Sequence, residues 1–139
     1  MKGRTIDTIA VGDSATFTKT ISESDIYLYA GVSGDVNPAH LDEEYAKTTM
    51  FKTRIAHGML SAGLISAVMG VQLPGPGSIY LGQTLKFLAP VKIGDTITAK
   101  AEVLEVIAEK NRLKMKTTCT NQAGTLVIDG EATIMPPRK

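Results

Sequence analysis

Gly58-Met59-Leu60-Ser61-Ala62-Gly63-Leu64-Ile65-Ser66-Ala67-Val68-Met69-Gly70-Val71-Gln72-Leu73 contains no charged side chain. Placed on a helix, Met59, Leu60, Leu64, Ile65, Ala67, Val68, Met69, Val71 and Leu73 cover nearly the whole circumference, and the remaining positions are small or weakly polar. A helix that is apolar all round must be surrounded. The stretch is also too short, and too often interrupted by Ser61, Gly63, Ser66 and Gly70, for the ~20 apolar residues that cross a bilayer. It predicts a buried helix of 16 residues.

What surrounds it follows from the chain on either side. After the breaker Leu73-Pro74-Gly75-Pro76-Gly77, residues 78–88, 96–108, 112–121 and 125–135 read as strands separated by turn signals at Gly94-Asp95, Lys110-Asn111 and Ala123-Gly124. Ile97, Ala99, Ala101 and Val103 alternate with Lys100 and Glu102. Leu113, Met115, Thr117 and Cys119 alternate with Arg112, Lys114, Lys116 and Thr118. Such strands bury one face only, and they are longer than the usual ~5 to 6 residues, so they need one large object to cover them. Upstream, residues 15–21 alternate as a further strand with Ala15, Phe17, Lys19 and Ile21 on one face. Ser22 follows as an N-cap, with Asp25 a loose capping-box partner and Ile26, Tyr29 and Ala30 at helical spacing. Asp42 caps a second short helical stretch over 43–47, and residues 48–56 read as irregular. The expected architecture is α+β: a long, curved antiparallel sheet rolled round one central helix.

The chain has 139 residues, enough for one domain over 1–139 with a core of its own. Fifteen basic against fourteen acidic residues leave a net charge of +1, so no global field argues for nucleic acid or a membrane surface as partner. Cys119 stands alone, which excludes an internal disulfide, and no Cys/His grouping has zinc-site spacing, so no metal is expected. The first residues lack the apolar run of ~7 to 15 residues of a secretory signal, and the cytoplasm is the default location.

Chemistry concentrates in Ser33-Gly34-Asp35-Val36-Asn37-Pro38-Ala39-His40, where a carboxylate and one of only two histidines stand five residues apart. Gly34 and Pro38 predict a stiff, non-helical loop, since proline fixes its own φ, lacks an N–H and pushes Asn37 out of the helical region. A stiff loop can aim two side chains at one water. Asp35 would accept its proton while His40 orients it or handles a second proton, the acid–base pair needed to add water across a polarised double bond.

With these residues in view, the stretch from Tyr29 to Ala46 closely resembles the hydratase motif of the MaoC-like, (R)-specific enoyl-CoA hydratases. The resemblance extends to Ala56-His57-Gly58-Met59-Leu60, to Ile79-Tyr80-Leu81-Gly82-Gln83 and to the turn between Pro90 and Asp95, and departs at Ala39, where a larger aliphatic residue is usual. It implies the hot-dog fold, reversible hydration of trans-2-enoyl-CoA to (R)-3-hydroxyacyl-CoA, and a homodimer. Asp35 and His40 would be catalytic, the Gly58 N–H would bind the thioester carbonyl, and Ser66, Asn37 and Met69 would contact substrate. No cofactor is implied, because the thioester is itself the electron sink and coenzyme A is part of the substrate.

Bland readings stand beside these. His57 precedes a helix N-terminus, where the dipole disfavours its protonation, and is expected to be structural, hydrogen-bonded beneath Gly58. Ser66 could simply let strands approach the helix, and filling core is the commoner use of a methionine such as Met69. Lys52 and Arg54 are candidates for the phosphates of coenzyme A, although such side chains are more often merely solvated. The competing functions are a 3-hydroxyacyl-[acyl carrier protein] dehydratase and a non-catalytic acyl-thioester-binding protein.

Overall fold

Five antiparallel strands form one open sheet in the order β1-β3-β4-β5-β2. The computed structural model describes residues 1–139. The strands are β1 (Ser14–Thr20), β2 (Ile79–Phe87), β3 (Thr96–Ile107), β4 (Arg112–Thr120) and β5 (Leu126–Met135). The last four end within two residues of the expected limits. Their alternation works as the sequence implies: Ile97, Ala99, Ala101 and Val103 of β3, with Leu113, Met115, Thr117 and Cys119 of β4, are buried. Opposite charges meet across the outer face, where Glu102 opposes Lys116 and Lys116 opposes Glu131. A bulge between Val103 and Glu105 adds one residue to β3 and leaves Leu104 exposed.

Across the inner face lies α4 (Gly58–Val71), whose Ala62, Leu64, Ile65, Val68 and Met69 join the strands' inner residues in one core cluster. Cys119 fills part of that core with its Sγ 3.6 Å from the Ser61 carbonyl, and burial pushes its thiol up to about 12. The expectation of an enclosed 16-residue helix needs correction. The helix is two residues shorter and is covered on one side only, because the sheet remains open; Met59, Gly63, Ser66 and Gly70 line an exposed stripe. No helix in the structure is long and apolar enough to cross a membrane.

The segment between β1 and α4 overhangs one end of this layer. It holds α1 (Glu23–Ser33), α2 (Pro38–Leu41) and α3 (Glu43–Ala46). A reciprocal capping box opens α1: the Ser22 hydroxyl accepts from the Asp25 amide at 3.1 Å, and the Asp25 carboxylate accepts from the Ser22 amide at 2.9 Å. Aspartate serves as well as the usual glutamate here because Lys19 also reaches it, at 2.7 Å from β1. The helix stops at Gly34, whose φ of 78° is left-handed and cheap only for glycine.

Arg54 ties the overhang together. Its guanidinium donates to Glu23 at 2.7 Å and to the Tyr27 hydroxyl at 3.1 Å, while its main-chain N–H donates to Glu43 at 3.2 Å. With a side chain only 13% exposed, it is committed to this network and is not available for a phosphate, which corrects that candidate assignment. Hydrogen bonds from Tyr27 and then Arg54 hold Glu23 below its usual range, and those from Thr53 and the Arg54 amide do the same for Glu43. Depressed carboxylates stabilise the fold above their unfolded values and lose that contribution as pH falls through the folded ones. The melting temperature is therefore expected to fall as pH drops below about 4.5. Arg54→Met should melt lower than the parent at pH 7, with the gap closing towards pH 3; thermal melts over that range check it.

Candidate active site

The decisive loop is built from both ends. On residue 35 every polar group except one carboxylate oxygen has a protein partner. The amide donates to the Ser33 hydroxyl at 3.1 Å, Oδ1 accepts from the Asn37 amide at 3.2 Å, and the carbonyl accepts from Nε2 of His57 at 2.8 Å. The second oxygen is left for an external partner. Beyond it, the expectation of a wholly non-helical run to His40 fails, since residues 38–41 form the turn α2. Proline suits the first position of a helix, where its missing N–H is not needed, and the Asn37 side chain caps that turn by accepting from the Ala39 amide at 3.0 Å. Asn37 thus shapes the loop as a cap and is not among the residues that line the cavity holding Asp35 and His40.

This turn brings His40 back over Asp35. Its Nδ1 lies 2.8 Å from the Ile55 carbonyl. A carbonyl can only accept, so Nδ1 carries the hydrogen and Nε2 is the free nitrogen. A carboxylate oxygen of Asp35 and one ring nitrogen each from His40 and His57 all lie within 4.8 Å of one another. A water held at ~2.8 Å from two such groups at a near-tetrahedral angle spans about 4.6 Å. The groups are therefore within the reach of a single bridging water.

The same three side chains are the types that ligate metals, but their orientation is poor for it. The rings of His40 and His57 lie face to face, centroids 3.9 Å apart and tilted by 31°. In-plane lone pairs on stacked rings run side by side instead of converging, and Nε2 of His57 is already engaged by Asp35. The cluster suits an oriented water better than a cation.

Gly58 begins α4 and lines the same cavity as Asp35 and His40. No protein group accepts its N–H, which leaves a free donor at the positive end of a 14-residue helix. The Ala56 amide bonds the Val91 carbonyl at 2.7 Å, fixing the approach to the helix against the segment after β2. The cavity, about 470 Å³, holds Asp35, His40, His57 and Gly58 at its polar end. Met50, Phe51, Phe87, Leu88, Val91 and Val127 supply apolar wall.

Two expected substrate contacts lie elsewhere. Met69 is fully buried in the core and is not among the residues that line this cavity. Ser66 lies on the exposed stripe of α4 and does not reach the cavity of its own chain. His57 is buried, and its Nε2 pairs with the Asp35 carbonyl. Phe51 and Phe87 were not singled out by sequence reasoning; the position of Phe87 at the end of β2, just before the Pro90 turn, was the available signal.

The fold and this constellation define a hot-dog hydratase site, and comparison with known proteins places it. Residues 8–125 match the MaoC like domain model, and the chain belongs to that family. It is 63% identical over 131 residues to an (R)-specific enoyl-CoA hydratase of Rhodospirillum rubrum, covering 94% of this chain and 90% of that protein. Among solved structures, it is similar to R-hydratase PhaJ1 from Pseudomonas aeruginosa (TM-score 0.93, 55% identity, 99% of this chain and 88% of that one). It also resembles the (R)-hydratase of A. caviae involved in PHA biosynthesis (TM-score 0.91, 42% identity, 94% and 98%).

Proposed function

We propose that the protein is an (R)-specific enoyl-CoA hydratase, a hydro-lyase that adds water reversibly to trans-2-enoyl-CoA to give (R)-3-hydroxyacyl-CoA. The observation that carries this reading is the junction of one water position, framed by Asp35 and His40, with the unpaired Gly58 N–H in a single apolar cavity. An enoyl thioester is attacked at C3 only if the charge arriving on its carbonyl oxygen is stabilised. The Gly58 amide offers that stabilisation, typically worth about 10²- to 10³-fold in rate. Asp35, with His40 orienting through Nε2, takes the proton of the attacking water, and a proton is delivered to C2 as the enolate collapses. Dehydration follows the same path in reverse. No cofactor enters, because the conjugated thioester accepts the electron pair.

The handedness follows relatives of 63% and 55% identity. Coenzyme A is favoured over acyl carrier protein because the carrier-protein dehydratases among the relatives are less similar, at 37% and 38%. Crotonyl-CoA and crotonyl-acyl carrier protein, followed by loss of conjugated thioester absorbance with chiral analysis of the product, test this directly. Rapid consumption of the CoA ester to the (R) alcohol is expected. No consumption at high enzyme concentration would contradict the reading.

The working unit of the reading is a homodimer, in the cytoplasm. Glycine inside a helix costs roughly 0.5 to 1 kcal/mol against alanine, yet Gly63 and Gly70 face open space, with nothing within 4 Å of an added Cβ. The outer edge of β2 is likewise unpaired, and exposed apolar side chains sit on that strand, with Ile79 54% exposed and Tyr80 and Leu81 beside it. A second copy packed on the stripe and edge accounts for both, and for an α4 sequence that is apolar all round. Light scattering is expected to give twice the 14.8 kDa chain mass, and Gly63→Arg should shift it to the single-chain value.

A further inference from the structure

Three rings from separate parts of the chain lie against one another. Tyr29 of α1 lies 4.7 Å from His57, and His57 lies 3.9 Å from His40 of α2. His57 is the middle member, 2% exposed, at the residue just before α4. Its tautomer is set by its partner: the Asp35 carbonyl accepts, so Nε2 carries the hydrogen. Nδ1 is buried and has no partner at all. Retaining an unpaired buried nitrogen is unfavourable, and a phenylalanine would fill the same space without it. A purely space-filling role therefore does not explain histidine here, whereas the Nε2–H donor does.

We propose that His57 is a positioning residue for the hydration, holding Asp35 by its main chain and His40 by the face of its ring. The assignment rests on the hydratase reading above. Asp35 and His40 belong to an overhanging segment of short turns, while the Gly58 donor belongs to the helix packed on the sheet. His57 precedes Gly58 directly and touches both catalytic side-chain bearers, so it couples the water position to the carbonyl position. Misplacement of about 1 Å in such an arrangement can lower turnover about 10²-fold.

Two substitutions separate its two contacts. His57→Phe keeps a ring against His40 but removes the donor to Asp35; His57→Gln keeps an amide donor but removes the ring. Measured on the parent's crotonyl-CoA hydration, His57→Phe is expected to lose about 30- to 100-fold in kcat, His57→Gln about 10-fold, both with KM within threefold. The parent's own activity tests the hydratase reading, so the variants report on His57 alone. The chain has only two histidines, so long-range ¹H–¹⁵N spectra of the parent read both tautomers without folding concerns. Nε2–H for His57 and Nδ1–H for His40 are expected. Parental kcat in His57→Phe, a loss confined to KM, losses that vanish when each variant is assayed well below its melting temperature, or the opposite tautomers would each overturn the proposal.

Discussion

Asp35→Asn is expected to lower kcat for crotonyl-CoA hydration by about 10³- to 10⁴-fold while leaving the fold and thioester binding intact. Asparagine has the same shape, and its Oδ1 can still accept the Asn37 amide that Oδ1 of Asp35 accepts now, at 3.2 Å. The Asp35 amide and carbonyl bonds to Ser33 and His57 use main-chain atoms and do not depend on the substitution. What disappears is the one carboxylate oxygen with no protein partner, the atom left free to take a proton from water. Steady-state kinetics with equilibrium binding of crotonyl-CoA checks this. Unchanged turnover would show that Asp35 is not the base.

The second large effect concerns the amide of Gly58. Proline is the one residue that deletes it, and the backbone already suits proline: position 58 opens a helix, and His57 before it has φ −58° and ψ 134°. Space is the obstacle. A Cβ at position 58 would lie 2.6 and 2.7 Å from ring atoms of Phe87. Gly58→Pro is therefore best made together with Phe87→Ala, and compared with Phe87→Ala alone. Against that reference the added proline is expected to reduce kcat about 10²- to 10³-fold, equivalent to about 2.7 to 4 kcal/mol of transition-state stabilisation. The parent's narrow fit at this point also explains why position 58 is glycine: the ring of Phe87 lies where any side chain would go.

Much of this molecule is legible in its sequence because single residues carry single messages there. Strict alternation of Ile97, Ala99, Ala101 and Val103 with polar neighbours leaves no doubt about a one-sided strand, and Gly94, Asn111 and Gly124 mark the turns before β3, between β3 and β4 and between β4 and β5 with left-handed φ values. Asp35 and His40 could be paired from spacing alone. The parts that were not legible depend on long-range partners. Pro38 reads as a helix breaker until Asn37 is seen to cap the turn behind it. Arg54 reads as a free surface cation, whereas Glu23, Tyr27 and Glu43, up to 31 residues away, absorb it. The bond of His57 to a carbonyl 22 residues back leaves no local signature. Ser66, which the family resemblance points to, and Met69 three residues on both lie on α4, but which face of that helix meets the cavity depends on how the open sheet covers it.

The central claim is geometric, that the water framed by residues 35 and 40 and the donor at residue 58 act on one enoyl thioester. A crystal structure of the Asp35→Asn protein with crotonyl-CoA bound tests it most directly. The thioester oxygen should lie within hydrogen-bonding distance, about 2.7 to 3.2 Å, of the Gly58 nitrogen, with C3 turned towards the space between the side chains of residues 35 and 40. A thioester oxygen paired with any other donor, or C3 facing away from that space, would contradict the account.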